Sequence, residues 1–380
     1  MTIAANAVVK AGGQGLNLHH MIEGLGGLFD VNVFCRGGKT WAPVTEVSES
    51  QASRTISRIP VIRRLRDWQV FLGEIDFDRK VAQEMPKCEY FQGATGQCRD
   101  SLSAASRKGA LAMLDVVTVH IDDFSGESRR ECARFGIRAV QHPWLVERIR
   151  EEYERADVIR VMSEPARETF LRRGFSPEKV FVAAPPFDVS EFPVADFSQD
   201  RFVVSFVGLL EPAKGFHYLI DAFRKLDRHD SELLLWGNTG ARSISQYMRD
   251  HISECDRIRI VPESVSKIGY GKVYGRSSVL VHPSLADGFG YVVGEAMASG
   301  IPVITTPTTG ASQWVIDGVN GYVVPPRDSE AIRDRLQYLA DHPARMREMG
   351  EAARRTMMRL SIHQFRQSYE DAIAGVRTHV

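Results

Sequence analysis

Two acids eight positions apart, Asp287 and Glu295, are the residues of this chain best placed to do chemistry. Gly288 and Gly290 stand between them, in the run Asp287-Gly288-Phe289-Gly290-Tyr291. Glycines there let the backbone bend and come close to a ligand. A helix that starts near Tyr291 puts the amides of residues 289–291 at its N-terminus, where unpaired N–H groups and the dipole favour an anion. A carboxylate accepts from two hydroxyls at once, which suits the cis-diol of a ribose or the hydroxyls of a sugar. Lys214, just before Gly215 and a helix-like stretch, can meet two phosphates as a point charge. Plainer readings exist: a solvated acid pair beside an ordinary strand–helix turn, and a surface lysine. Spacing alone leaves both open.

These residues need strands that end beside them. Short apolar runs read as buried strands at residues 2–9, 29–34, 114–119, 158–162 and 180–183. Further runs follow at Phe202–Val207, 232–236, Ile258–Val261, Val279–His282 and Val303–Thr305. Helical stretches with polar faces separate many of them, such as 216–226 and 291–299, and this alternation predicts parallel sheets covered by helices. Ala184-Pro185-Pro186-Phe187-Asp188 and the irregular residues up to Arg201 read as a linker, because paired prolines continue neither a helix nor a central strand. The expected domains are therefore residues 1–190 and 201–359, each Rossmann-like, with ligands at the carboxyl ends of the strands. From Ser329 onward the pattern is helical.

A chain of 380 residues exceeds what one core usually supports. With 43 % apolar and 25 % charged residues it fits an ordinary globular protein. Basic and acidic residues balance at 48 each, so no global field attracts nucleic acid, and none is expected as a partner. Cys35, Cys88, Cys98, Cys132 and Cys255 form no C-x2-C pair, which argues against a zinc site or a disulfide framework. Asn6 and Lys10 interrupt the apolar residues at the start, unlike a signal peptide, and no run approaches the roughly 18 residues of a membrane span. The expected location is the cytoplasm, with peripheral contact at the inner face of the membrane left open.

Residues 281–304, which close on Gly294-Glu295-Ala296-Met297-Ala298-Ser299-Gly300-Ile301-Pro302-Val303-Ile304, resemble the acid-x7-acid motif of family 4 retaining glycosyltransferases, the glycosyl transferases group 1. The likeness continues through Asp317-Gly318-Val319-Asn320-Gly321-Tyr322-Val323-Val324 and through Phe206-Val207-Gly208-Leu209-Leu210-Glu211-Pro212-Ala213-Lys214-Gly215. It also takes in residues 156–163 and 185–192. The resemblance implies the GT-B fold, an α/β architecture of two Rossmann-like domains facing across a cleft, with a helix at about 360–380 packing back on the first domain. It implies that Glu295 binds the donor ribose, Asp287 contacts the donor sugar and Lys214 neutralises the diphosphate. Gly208, Pro262, Gly288, Phe289, Gly290 and Tyr291 complete the donor-binding set of the second domain. Two positions depart from the family: Asp287 stands where Glu is usual, and Leu209 where Arg is frequent.

The first domain is more divergent. Ala11-Gly12-Gly13-Gln14-Gly15 resembles the family's first loop, which faces donor sugar and acceptor, and so adds Gly13 and Gly15 to the donor-binding set. Glycines used only for tight packing fit these residues equally well. His120, after the apolar residues 116–119, looks like the family's strand-end histidine facing the donor sugar. A histidine with a purely local partner is the plainer alternative. Asp122 and Asp123 read as loop acids and helix caps.

The resemblance implies a hexosyltransferase that moves sugar from a UDP- or GDP-sugar to a glycan, a lipid-linked acceptor or a small molecule. It implies retention, with His120, Lys214 and Asp287 as catalytic candidates, no cofactor and no metal. UDP-glucose, UDP-N-acetylglucosamine and GDP-mannose all stay open as donors. Leu209 and Asp287 keep alive a non-catalytic partner subunit of an active transferase, and a GT-B-fold nucleotide-sugar epimerase is a further alternative. A nicotinamide-dependent oxidoreductase fits worse, because residues 12–15 lack the G-x-G-x-x-G spacing.

One segment points elsewhere. Residues 54–68 hold Arg54, Arg58, Arg63, Arg64 and Arg66 with no acid before Asp67, interleaved with Ile56, Ile59, Val61, Ile62, Leu65 and Trp68. Basic residues beside an apolar stripe suit peripheral membrane contact. A solvated basic face over a core-packed helix has the same composition.

Overall fold

The computed structural model describes the chain except residues 60–65, 138–140, 199–200, 239–243, 245, 249–251, 253–254, 264–267 and 378–380. Contacts divide it into two compact units. One comprises Met1–Ser125, Val140–Pro186 and Ile362–Val380; the other comprises Gly126–Ala139 and Phe187–Ser361. Residues 126–137 thus pack with the second unit, which nothing in their sequence announces.

Seven parallel strands form the first sheet: β1 (Thr2–Ala4), β2 (Asn32–Cys35), β3 (Val44–Glu46), β4 (Tyr90–Ala94), β5 (Leu111–Val116), β6 (Val158–Val161) and β7 (Val180–Val182). Their order is β3-β2-β1-β4-β5-β6-β7. Two of them have no continuous apolar run. In β4 the run is broken by Gln92, whose buried amide donates to Tyr369 Oη at 2.7 Å, and by Gly93, where a Cβ would lie 2.3 Å from Cys98 Cβ. β3 is exposed throughout. β5 begins and ends three residues earlier than its apolar stretch suggests, and the carboxylate of its Asp115 is buried against Arg160 at 2.6 Å. Helix Ile362–Arg377 belongs to this unit; its Phe365, Tyr369 and Ile373 share a core cluster with Leu18, Met21, Ile22 and Leu25 of helix Gly12–Leu25.

The second sheet repeats the plan with β8 (Phe202–Val207), β9 (Ser231–Trp236), β10 (Ile258–Val261), β11 (Val279–His282), β12 (Val303–Thr305) and β13 (Gly321–Val323), ordered β10-β9-β8-β11-β12-β13. All pairings are parallel. β8, β9 and β11 are buried along their whole length, as strands covered by helices on both faces must be. Phe216, Leu219, Ile220 and Phe223 of helix Phe216–Arg224 pack in one core cluster with Ile332, Leu336 and Leu339 of helix Ser329–Asp341. In both sheets the strand order reverses about a central pair, β1 beside β4 and β8 beside β11. The crevice at the carboxyl ends of such a pair is where open α/β sheets bind ligands.

Candidate active site

The site in the second unit is built where β8 and β11 end. After β8 the chain passes Gly208 and Leu209 into a 3-10 turn, Pro212–Lys214, that closes on Gly215. Gly215 has a φ of 70°, and a Cβ on it would stand 2.1 Å from the carbonyl oxygen of Pro283. Only glycine takes this backbone and this approach without strain. The close contact lets Leu285 donate its N–H to Ala213 O at 2.9 Å, so the lysine turn and the loop after β11 are tied together. Lys214 Nζ then lies 2.5 Å from Asp287 Oδ2.

The loop after β11 is held from its other side by the chain after β12. Asp287 N donates to Thr308 O at 3.1 Å, and Gly310 N donates to Asp287 O at 3.0 Å. Thr306 and Thr308 both donate their hydroxyls to Ser284 O. Gly290, at a φ of 81°, is the N-cap of helix Tyr291–Ala298 and makes no side-chain cap hydrogen bond; a Cβ there would meet the Thr309 methyl at 2.7 Å. Phe289 is buried and stacks on Phe187. Gly208, Lys214, Asp287, Gly288, Phe289 and Gly290 thus lie on adjoining loops, with Tyr291 opening the helix that follows. Pro262 is exposed after the edge strand β10, and among the described residues no hydrogen bond or ion pair links it to this group.

The two acids differ sharply. Burial would raise the Asp287 carboxyl, but the Lys214 ammonium and the hydrogen bond from His282 outweigh it and hold the group well below the usual carboxylate range. Glu295 is buried, 6 % exposed, rather than a surface acid. Its Oε2 accepts from Tyr274 Oη at 2.6 Å, and burial pushes its carboxyl up to about 7. His282 and Tyr274 are absent from the sequence-derived site. His282 stands five residues before Asp287 and was legible there only as the last residue of a strand; Tyr274 is 21 residues from Glu295 and carries no motif.

Helix Phe216–Arg224, which follows the lysine turn, is anchored by a buried acid. Glu131 Oε2 accepts from Tyr218 Oη at 3.0 Å and lies 3.2 Å from His217 Nε2, while Arg327 Nε donates to Oε1 at 2.8 Å. Burial alone would raise Glu131; the His217, Arg327 and Tyr218 hydrogen bonds reverse this and bring it down to about 2.

The remaining candidates lie in the first unit. Gly13 and Gly15 fall inside the first turn of helix Gly12–Leu25 rather than in a loop before it. A Cβ on Gly15 would stand 2.0 Å from Val8 O, so this glycine is needed for packing whatever else it does. His120 follows a bend after β5 and is buried against Tyr153 and Phe170. Its Nδ1 accepts from Asp122 N at 3.2 Å, and its backbone N–H donates to Thr169 Oγ1 at 2.9 Å, so local partners are present. Burial lowers its pKa to about 4 and keeps the ring neutral. Among the described residues no group of three or more His, Cys, Asp or Glu is arranged to hold a metal ion.

Residues 190–356 match the model of the family described as Glycosyl transferases group 1. The match covers most of the second unit and less than half of the chain. The capsular polysaccharide biosynthesis glycosyltransferase CapM of Staphylococcus aureus is 29 % identical over 159 residues, 41 % of each chain. A D-inositol 3-phosphate glycosyltransferase of Kribbella flavida is 28 % identical over 211 residues, 50 % of this chain and 49 % of the relative. The chain therefore spans about half the length of these curated relatives, or less. Solved structures match over nearly its whole length. Sucrose-phosphate synthase from Thermosynechococcus elongatus superposes with a TM-score of 0.75 at 20 % identity, covering 100 % of this chain and 99 % of that one. Anabaena Alr3699/HepE in complex with UDP gives 0.72 at 17 %, covering 98 % and 100 %. At such identities the likeness speaks for the fold, which is GT-B. Leu209, in the turn after β8, is 46 % exposed.

Proposed function

We propose that this chain is a retaining glycosyltransferase that moves a hexosyl group from a UDP- or GDP-sugar to a glycan, lipid-linked or small-molecule acceptor without a metal ion. The observation that carries the reading is the Lys214–Asp287 pair, set between the ends of β8 and β11 and beside a helix N-terminus without a side-chain cap. Lys214 and the amides near Gly290 meet the diphosphate, Asp287 the donor sugar and Glu295 the ribose. As the bond from the anomeric carbon to the phosphate oxygen breaks, negative charge grows on the departing diphosphate, where a fixed ammonium and fixed amides act most strongly. The acceptor oxygen bonds to the same carbon from the same face, and its proton passes to the leaving phosphate. His120, Gly13 and Gly15 keep the donor-side roles that the resemblance gives them. A solved neighbour holding UDP-glucose is consistent with a UDP-linked donor.

The test is a panel of nucleotide-sugars in thermal unfolding, followed by turnover assays with EDTA. A true donor at 100 times its dissociation constant raises stability by about 2.7 kcal/mol. Turnover should persist in EDTA; complete loss restored by Mn2+ or Mg2+ would end the metal-free mechanism.

We also propose peripheral contact with anionic membranes through residues 54–68. Among these, Arg54, Ile56, Arg58 and Ile59 are exposed on and just after helix Gln51–Ser57, while 60–65, with Arg63 and Arg64, lie outside the described residues. No helix is long and apolar enough to cross a membrane among the described residues. Co-sedimentation with anionic vesicles, weakened in the Arg54→Glu/Arg58→Glu variant and absent with neutral vesicles, is the expected result. Equal binding by both proteins would remove the proposal.

A further inference from the structure

β11 ends on His282, whose imidazole is 3 % exposed and lies behind Asp287. Its Nε2 is 3.1 Å from Asp287 Oδ2, the oxygen that also accepts from Lys214 Nζ at 2.5 Å. Oδ1 accepts no hydrogen bond among the described residues. A carboxylate only accepts, so the imidazole carries its proton on Nε2. Burial is the main reason the ring stays neutral, and nearby Lys214 adds to it. The other nitrogen, Nδ1, is buried without a partner among the described residues. Phe206 stacks on the ring at 6.1 Å and 22°, which fixes its plane.

Two donors from two strand ends therefore converge on one oxygen. Lys214 alone would leave the carboxylate free to turn about its Cβ–Cγ bond and offer either oxygen. The second donor removes that freedom. It matters more for an aspartate than for a longer glutamate, because the backbone of Asp287 is already pinned to Thr308 and Gly310 and cannot advance toward a ligand.

We propose that His282 is a positioning residue: it locks Asp287 so that Oδ2 stays on Lys214 while Oδ1 is presented to a hydroxyl of the donor sugar. The inference rests on the donor reading above. It explains how an Asp serves where Glu is usual, and why a histidine occupies the last position of an otherwise aliphatic strand. His282 does not touch the diphosphate or the ribose, so its removal should be felt by the sugar alone.

The experiment measures dissociation constants by calorimetry for UDP, UDP-glucose, UDP-N-acetylglucosamine, GDP and GDP-mannose. It uses wild type, His282→Phe, His282→Leu, His282→Gln, Asp287→Ala and the Asp287→Ala/His282→Phe double variant, with thermal unfolding as a check on folding. For the nucleotide-sugar that wild type prefers, the apolar variants should bind about tenfold more weakly, the size of one lost charge-assisted hydrogen bond. Their affinity for the matching diphosphate should be unchanged. His282→Gln, which keeps an N–H at similar reach, should recover most of the loss, and His282→Phe should add nothing once Asp287 is Ala. Wild-type sugar affinity in the apolar variants, an equal loss for diphosphate and sugar, no recovery by Gln, or failure of both apolar variants to fold would each overturn the inference and leave the donor reading standing. Wild-type binding by Asp287→Ala, or no nucleotide-sugar bound by wild type, would instead bring down the donor reading and this inference with it.

Discussion

The two sheets share one strand order, yet the helix after β4 and the helix after β11 begin in opposite ways. At helix Arg99–Arg107 the chain fills its own N-terminus with buried acids. Glu152 accepts from the amides of Gly96, Cys98 and Arg99 at 2.5, 3.0 and 3.1 Å, and Asp78 from those of Asp100 and Ser101 at 2.7 and 2.8 Å. Arg148 pairs with Asp78 beneath them. At helix Tyr291–Ala298 the N-cap is a glycine without a side-chain cap, the first turn holds no acid, and Asp287, in the loop before it, is engaged by Lys214 and His282. The same position in the same fold is filled from within in one unit and, on the donor reading, is left for an outside anion in the other. What separates them is whether the protein supplies the acceptor oxygens itself.

The sharpest way to break this comparison is Asp78→Ala. It leaves Arg148 buried without its main partner, and losing one member of such a pair costs about 3–5 kcal/mol. Chemical denaturation should show that loss, with donor affinity unchanged in the protein that stays folded. An effect on affinity alone would mean that the first helix N-terminus is also a ligand site. Lys214→Ala should act mainly on the reaction, lowering turnover by about 10²–10³-fold, the scale of one lost charge-stabilising group, with a smaller stability loss than Asp78→Ala because Asp287 keeps its His282 hydrogen bond. Lys214→Arg should fall between the two in steady-state assays, and wild-type rates in both variants would reduce Lys214 to a surface residue.

Glu295 sharpens the comparison within the second unit. Its folded-state pKa of about 7 lies above the ordinary 4.5, so between these values the folded chain binds more protons than the unfolded one. Stability from this group is present at low pH and is lost as pH rises toward 7. Glu295→Gln keeps an acceptor for Tyr274 Oη and removes the buried charge. It should therefore be more stable than wild type above pH 7 by about 3 kcal/mol, read as a higher unfolding temperature, with the difference vanishing near pH 4. Donor binding should be lost at every pH. A variant that is less stable at pH 8 would show that the carboxylate is structural. The smallest effect is expected from Gly215→Ala: about 1–3 kcal/mol of strain, read in a denaturation curve, with turnover falling as Lys214 shifts.

Much of this was legible in the sequence where one physical term dominates. β8, β9 and β11 are buried on both faces, so continuous apolar runs mark them. Lys214, Asp287 and the glycines between strand and helix are legible because a turn of that shape needs those residue types close together in the chain. β4 was hidden by Gln92 and Gly93, which earn their places through tertiary contacts with Tyr369 and Cys98. β3 has no buried face to leave a pattern. His282 and Tyr274 escaped for a related reason: each acts by touching a carboxylate that only folding brings near. The burial of Glu295 was equally invisible, since sequence spacing places a side chain on a helix but not beneath a neighbouring tyrosine.

Glu295 has a calorimetric consequence. At pH 7 a carboxyl that titrates near that value is about half protonated, and two ribose hydroxyls donate best to the charged form, which has no proton of its own to place. On the donor reading, binding then expels about half a proton per molecule into the buffer. The heat of binding measured in phosphate and in Tris should differ by that fraction of the difference between the two buffers' ionisation enthalpies. The difference should shrink toward zero at pH 9, turning a buried side chain into a count of protons.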